Sequence, residues 1–129
     1  MIKYQRDISI DERLVDIVRR TRMDHVDLSR VIALRSFGTK SRYVIARCHT
    51  LSRAFQEALG LDSHYVIEIV SEKYDKLSEE EKTKTLIHEL MHIPKSFGGG
   101  FRHHGNYVNR RNVEKMYMKY KNNIAGNSF

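Results

Sequence analysis

Hydrophobic positions along the 129-residue chain change period several times, and each change marks an element. In "SIDERLVDIVRRTR", Ile10, Leu14, Ile17 and Val18 recur at helical spacing, which predicts an amphipathic helix. Ser9, followed three places later by Glu12, reads as its capping box. Val31 to Leu34 is continuously apolar and predicts a buried strand. "SFGTKS" then supplies a glycine-centred turn, and Tyr43 to Cys48 reads as the returning arm of a hairpin. "TLSRAFQEALG" predicts a short helix with Leu51, Ala54, Phe55 and Ala58 on one face and Gly60 at its end. His64 to Val70 is mostly apolar and β-rich, a third strand.

The next helix is "SEEEKTKTLIHELMHI", with Ser78 and Glu81 in capping-box register and three acids where the helix dipole favours them. Pro94 stops it. "KSFGGGFRHHG" reads as a flexible loop, and "YVNRRNVEKMYMKYKNN" as a last helix with Val113, Met116, Tyr117 and Tyr120 inward. The order α-β-β-α-β-α-loop-α contains no repeat and no linker. It predicts one domain over residues 1–129, of α+β class, with three strands or slightly more.

Composition narrows the class. Hydrophobic residues make up 40% and charged residues 30%, a globular balance. No apolar run approaches the roughly 20 residues that cross a bilayer, and "MIKYQRDISIDERL" does not read as a secretory signal. Cys48 is the lone cysteine, which excludes an intrachain disulfide and every multi-cysteine zinc site. A reducing compartment fits, so the expected location is the cytoplasm. Cys48 itself, on a predicted strand, reads as core. The formal charge of +7 favours acidic partners, nucleic acid first among them, although a solvated basic surface would give the same number.

Four of the seven histidines fall between His88 and His104. On a helix, positions i and i+4 share a face, so His88 and His92 point the same way and can bind one divalent metal. Glu89 lies beside that face, within reach of a water activated there. This is the physical content of H-E-x-x-H: two ligands, and a carboxylate that takes the proton from attacking water. A catalytic zinc usually takes three protein ligands, so a third must come from elsewhere. His103 and His104 follow three consecutive glycines that can fold the chain back past the helix. His25, His49 and His64 lie upstream, on or beside predicted core elements, and read as structural.

The stretches "RSFGTKSRYVIARCH", "YVIEIVSEKYDKLS" and "HELMHIPKSFGGGFRHHG" resemble the predicted archaeal and viral zinc metallopeptidases of minimal zincin type. The resemblance runs from about Val31 to Asn109. More distantly, H-E-x-x-H followed by H-G is similar to SprT-like proteases, in which the later histidine is the third ligand. The resemblance implies a zincin fold, with the active-site helix packed beneath a small mixed sheet, and one zinc on His88, His92 and His104. His104 rather than His103 is implied because Gly105 follows it. Glu89 would be the general base of peptide-bond hydrolysis. The substrate polypeptide would add as a strand to an exposed sheet edge.

Weaker signals surround the motif. Arg102, His103 and Tyr107 flank the third ligand and would either steady an oxyanion or hold the loop in place. Arg110, Arg111, Lys115, Lys119 and Lys121 form a basic stripe on the last helix, a candidate nucleic-acid surface. The rival reading of the whole chain is a non-catalytic zincin-like module that binds protein or DNA.

Overall fold

The computed structural model describes residues 1–123; the final stretch of the expected domain, 124–129, lies outside the described residues. Among the described residues, five α-helices and a short 3-10 turn (Leu28–Arg30) accompany a four-stranded mixed sheet, an α+β fold. The strands are β1 (Lys3–Arg6), β2 (Val31–Phe37), β3 (Ala46–Thr50) and β4 (Tyr65–Val70), in the order β1-β2-β4-β3. The helices are α1 (Ile8–Thr21), α2 (Arg53–Leu59), α3 (Ser71–Tyr74), α4 (Glu79–Met91) and α5 (Arg110–Asn122).

The expected hairpin does not form. β4 lies between β2 and β3, parallel to β2 and antiparallel to β3. The reason is visible in β4 itself, whose residues are buried or half-buried throughout. A strand buried on both faces belongs in the middle of a sheet, whereas β3, with the exposed His49, tolerates an edge. The other edge, β1, carries "KYQR", fully exposed and without hydrophobic alternation, and no sequence pattern announced it. Charged side chains on such an edge discourage pairing with other chains.

Helix ends follow side-chain chemistry. Asp7, not Ser9, caps α1: its carboxylate accepts from the Ile10 N–H at 3.0 Å and from the Ser9 hydroxyl at 2.6 Å. A carboxylate already held by Arg35 at 2.8 Å is a better cap than a hydroxyl inside the first turn. Ser78 caps α4 through the Glu81 N–H at 3.1 Å, and Asn109 caps α5 through the Asn112 N–H at 2.8 Å. α2 stops at the expected Gly60 and is capped by Ser52, but it has no buried residue; Phe55 is 57% exposed. It bridges β3 to β4, and its hydrogen bonds, not an apolar face, fasten it. α3 was not legible in the sequence, and its Tyr74 enters the core.

One face of the sheet, built from Val31, Ala33, Tyr65, Ile67 and Ile69, joins Ile10, Leu14 and Ile17 of α1 and Leu86, Ile87 and Leu90 of α4 in a single core. Val113 of α5 is buried there, with Met116, Tyr117 and Tyr120 packed against it. α4 is thereby pressed beneath the β3–β4 side of the sheet.

Candidate active site

Helix α4 carries His88 inside its last turn, and His92 is its C-cap with a still helical backbone (φ −70°, ψ −17°). The i, i+4 relation therefore survives to the helix end, and the two rings meet with centroids 5.0 Å apart. Past Pro94 the chain turns back. Gly99, at φ 102°, passes so close to β3 and α2 that a Cβ would stand 2.9 Å from the Leu51 carbonyl oxygen. The glycines thus serve close approach as well as turning. The run expected to be flexible is pinned: Thr50 Oγ1 donates to Gly99 O at 2.9 Å, Tyr65 Oη to Gly100 O at 2.8 Å, and Gln56 Nε2 to Gly98 O at 3.3 Å.

The loop then grips the helix end. Arg102 N–H donates to the His92 carbonyl at 2.7 Å, while His92 Nδ1 donates to the Arg102 carbonyl. That second bond places the proton on Nδ1 and leaves the lone pair on Nε2. Phe101 stacks on the His92 ring, centroids 4.4 Å apart and planes 12° from parallel. Two residues after Arg102, His104 sits in a turn held by its bridge to the buried Val108 and by the Asn109 amide, which donates to Gly105 O at 2.7 Å.

These elements bring His88, His92 and His104 together, with ligand nitrogens all within 4.8 Å of one another. His88 Nε2 and His104 Nε2 are 3.0 Å apart. Metal–nitrogen bonds of 2.0–2.1 Å in tetrahedral geometry separate ligand nitrogens by about 3.3 Å. One pair is close to that spacing, the trio lies within 4.8 Å, and all three are imidazoles, the donor chemistry a divalent metal takes. Burial, with the neighbouring His92 and His104, lowers His88 to about 4, so its ring is neutral at pH 7, as ligation requires. His92 is lowered too, chiefly by burial, although its bond to the Arg102 carbonyl opposes the shift.

Glu89 is 7% exposed and lines the same cleft; burial pushes its carboxyl up to about 7. The cleft, about 940 Å³, runs between β3 with its preceding segment Tyr43–Ile45 on one side and α4 and α5 on the other. Cys48, packed against the core, faces Glu89 across it, and burial with the Glu89 charge pushes the thiol up to about 12, an unreactive state. Arg110 and Glu114 of α5 line the wall near His104, and Lys84 ties Glu114 to α4 at 2.7 Å.

Of the remaining histidines, His49 borders the cleft and the others lie apart. His103 is exposed and packs edge-on against Phe101. The Arg102 guanidinium lies 3.7 Å over the Tyr107 ring. None of the three is among the residues lining the cleft. His25 bonds to the Ile93 carbonyl, His64 to that of Asp62, and His49 to Glu68. Arg111, Lys115 and Lys119 are exposed on α5. Sequence reasoning missed Phe101, the wall from Tyr43 to Ile45 and the Lys84–Glu114 tie. An aromatic residue shortly before a ligand histidine was the one local signal available.

In this α+β domain, three imidazoles beside a buried glutamate line one cleft and could hold a metal ion. The chain belongs to the family described as "putative phage metallopeptidase", whose model matches residues 2–124. That description names a metal-dependent peptidase, and with it a divalent metal and a polypeptide substrate. No curated protein and no solved structure matches the chain.

Proposed function

We propose that the protein is a zinc-dependent peptidase of zincin-like arrangement, with His88, His92 and His104 as the metal ligands and Glu89 as general base. The observation that carries the reading is the convergence of three imidazole nitrogens beside a buried carboxylate, under a sheet edge. Zinc, when bound, would supply Lewis acidity that polarises the peptide carbonyl and makes water acidic near neutral pH. Glu89 takes the proton from the attacking water and returns it to the leaving amine. His92 is held in one tautomer by Arg102, so its Nε2 stays available. β3 has one pairing partner, β4, and its outer edge faces the cleft, which suits an extended polypeptide added as a further strand. The stacking of Arg102 on Tyr107 supports a loop-holding role for both, and the H-G step at His104 and Gly105 supports the likeness to SprT-like proteases.

The test is Glu89→Gln, nearly isosteric but unable to take the proton. Hydrolysis of unfolded casein should fall by at least the ~10²–10⁴-fold typical of a lost general base, with zinc content unchanged. Equal hydrolysis by variant and parent would remove Glu89 from the mechanism. A parent that holds zinc yet cleaves nothing would favour the non-catalytic binding module.

One observation favours nucleic acid as a second partner. Arg110, Arg111, Lys115 and Lys119 form no ion pair among the described residues, while Glu114, the lone acid of α5, is bound to Lys84. The free cations therefore dominate the solvent face of the helix.

A further inference from the structure

Glu68 stands in the central strand with its side chain on the face away from α4, because its neighbours Ile67 and Ile69 face the core. It is 1% exposed, so an unpartnered carboxylate there would be strongly disfavoured. Both oxygens are engaged. Oε2 accepts from Ser36 Oγ of β2 at 2.6 Å and from Arg47 Nη1 at 3.2 Å, and Oε1 bonds His49 Nε2 at 2.7 Å. Burial raises its pKa, but the bonds from Ser36 and His49 and the charge of Arg47 outweigh that and hold the carboxyl below its ordinary range. One buried charge thus ties three adjacent strands.

The cluster matters most for β3. As an edge strand it is paired on one side only. Ala46 to His49 all border the cleft, with Ala46 and Cys48 packed against the core as small side chains that leave room above the histidines. Arg47 and His49 are half-exposed and also border the cleft, and their bonds to Glu68 add an anchorage on the reverse face. Thr50, bonded to Gly99, fixes only the far end.

We propose that Glu68, with Ser36, Arg47 and His49, is a positioning cluster that holds the edge strand over the cleft and so sets how tightly an extended polypeptide docks. Ser36 and Glu68 do not line the cleft, whereas Arg47 and His49 border it, so the amide-exchange readout below separates strand positioning from direct contact with substrate. The proposal rests on the peptidase reading for its kinetic consequence, but the strand it fixes can be probed without substrate. The experiment compares zinc-loaded parent, the double variant Arg47→Met/His49→Leu, and the same Arg47→Met background with His49→Gln, which keeps an N–H donor. On fluorescently labelled unfolded casein, the double variant should show KM raised about tenfold, the scale of a lost hydrogen bond to a charged group, with kcat within about twofold. Restoring the donor in His49→Gln should recover part of that rise. A loss of folded enzyme would lower kcat and leave KM alone, so an unchanged KM overturns the proposal. Amide exchange in the same proteins supplies the second readout: faster exchange in β3, with α4 unchanged, supports the cluster, and unchanged β3 exchange overturns it. If the parent cleaves no casein, the peptidase reading fails by itself, and the exchange result still decides the role of Glu68.

Discussion

His103 and His104 are chemically identical neighbours with opposite surroundings. Successive side chains of an extended segment diverge, so one metal does not draw on both. His104 meets His88 at 3.0 Å while His103 packs on Phe101. Zinc retention against a graded chelator should collapse in His104→Ala and change little in His103→Ala; the reverse ranking would move the ligand to His103. Glu89 yields a second expectation at this scale. In the folded chain without metal its pKa is raised to about 7 from an ordinary 4.5, so the folded state binds more protons between those values. The stabilisation from keeping it protonated is fully present below about pH 4.5 and lost as pH rises through about 7. Glutamine mimics the protonated acid at every pH. Chelator-treated Glu89→Gln should therefore match the parent near pH 4.5 and exceed it at pH 8 by up to about 3 kcal/mol, read from denaturant melts. A difference independent of pH would show that Glu89 is not the titrating group.

At the scale of elements, α5 and the metal loop share one residue. Asn109 caps α5 with its carbonyl oxygen and holds the His104 turn with its amide, which donates to Gly105 O and Asn106 O. Asn109→Ala should cost about 1 kcal/mol, the usual loss of a cap, and should weaken zinc binding because His104 is freed. Asn109→Asp keeps the cap and loses the turn bonds. It should hold thermal stability near the parent's while still binding zinc more weakly. Equal zinc affinity in all three proteins would separate the helix cap from the metal site.

Across the whole molecule, charge is the property to test. The net +7 is not evenly neutralised, since Arg111, Lys115 and Lys119 stay unpaired among the described residues. If they bind phosphates, the affinity for duplex DNA should fall steeply with salt. Reversing all three to glutamate should then flatten the log–log slope by about 3, at close to 0.9 for each phosphate no longer neutralised. Arg110 is left in place because it lines the cleft. No binding even at low salt would return the stripe to a solvated face. No helix among the described residues is long and apolar enough to cross a membrane.

What the sequence determined by itself was local. The ends of α4 at Ser78 and before Pro94, the inward face of α5 and the i, i+4 pairing of His88 and His92 depend on interactions a few residues long, which period and capping chemistry encode directly. The α+β class follows from the same periods. Only the tertiary structure decided which strand lies between β2 and β3, because strand order is set by how burial is shared across the whole sheet. It also decided that Phe55 stays in solvent and that Asp7 outcompetes Ser9, whose rival position was fixed by Arg35 from a distant strand. The histidine trio shows both halves at once. Two imidazoles were placed by helical geometry alone, whereas the third arrived through a loop whose path depends on Thr50, Gln56 and Tyr65, side chains 35 to 49 residues away in the chain from the glycines they hold.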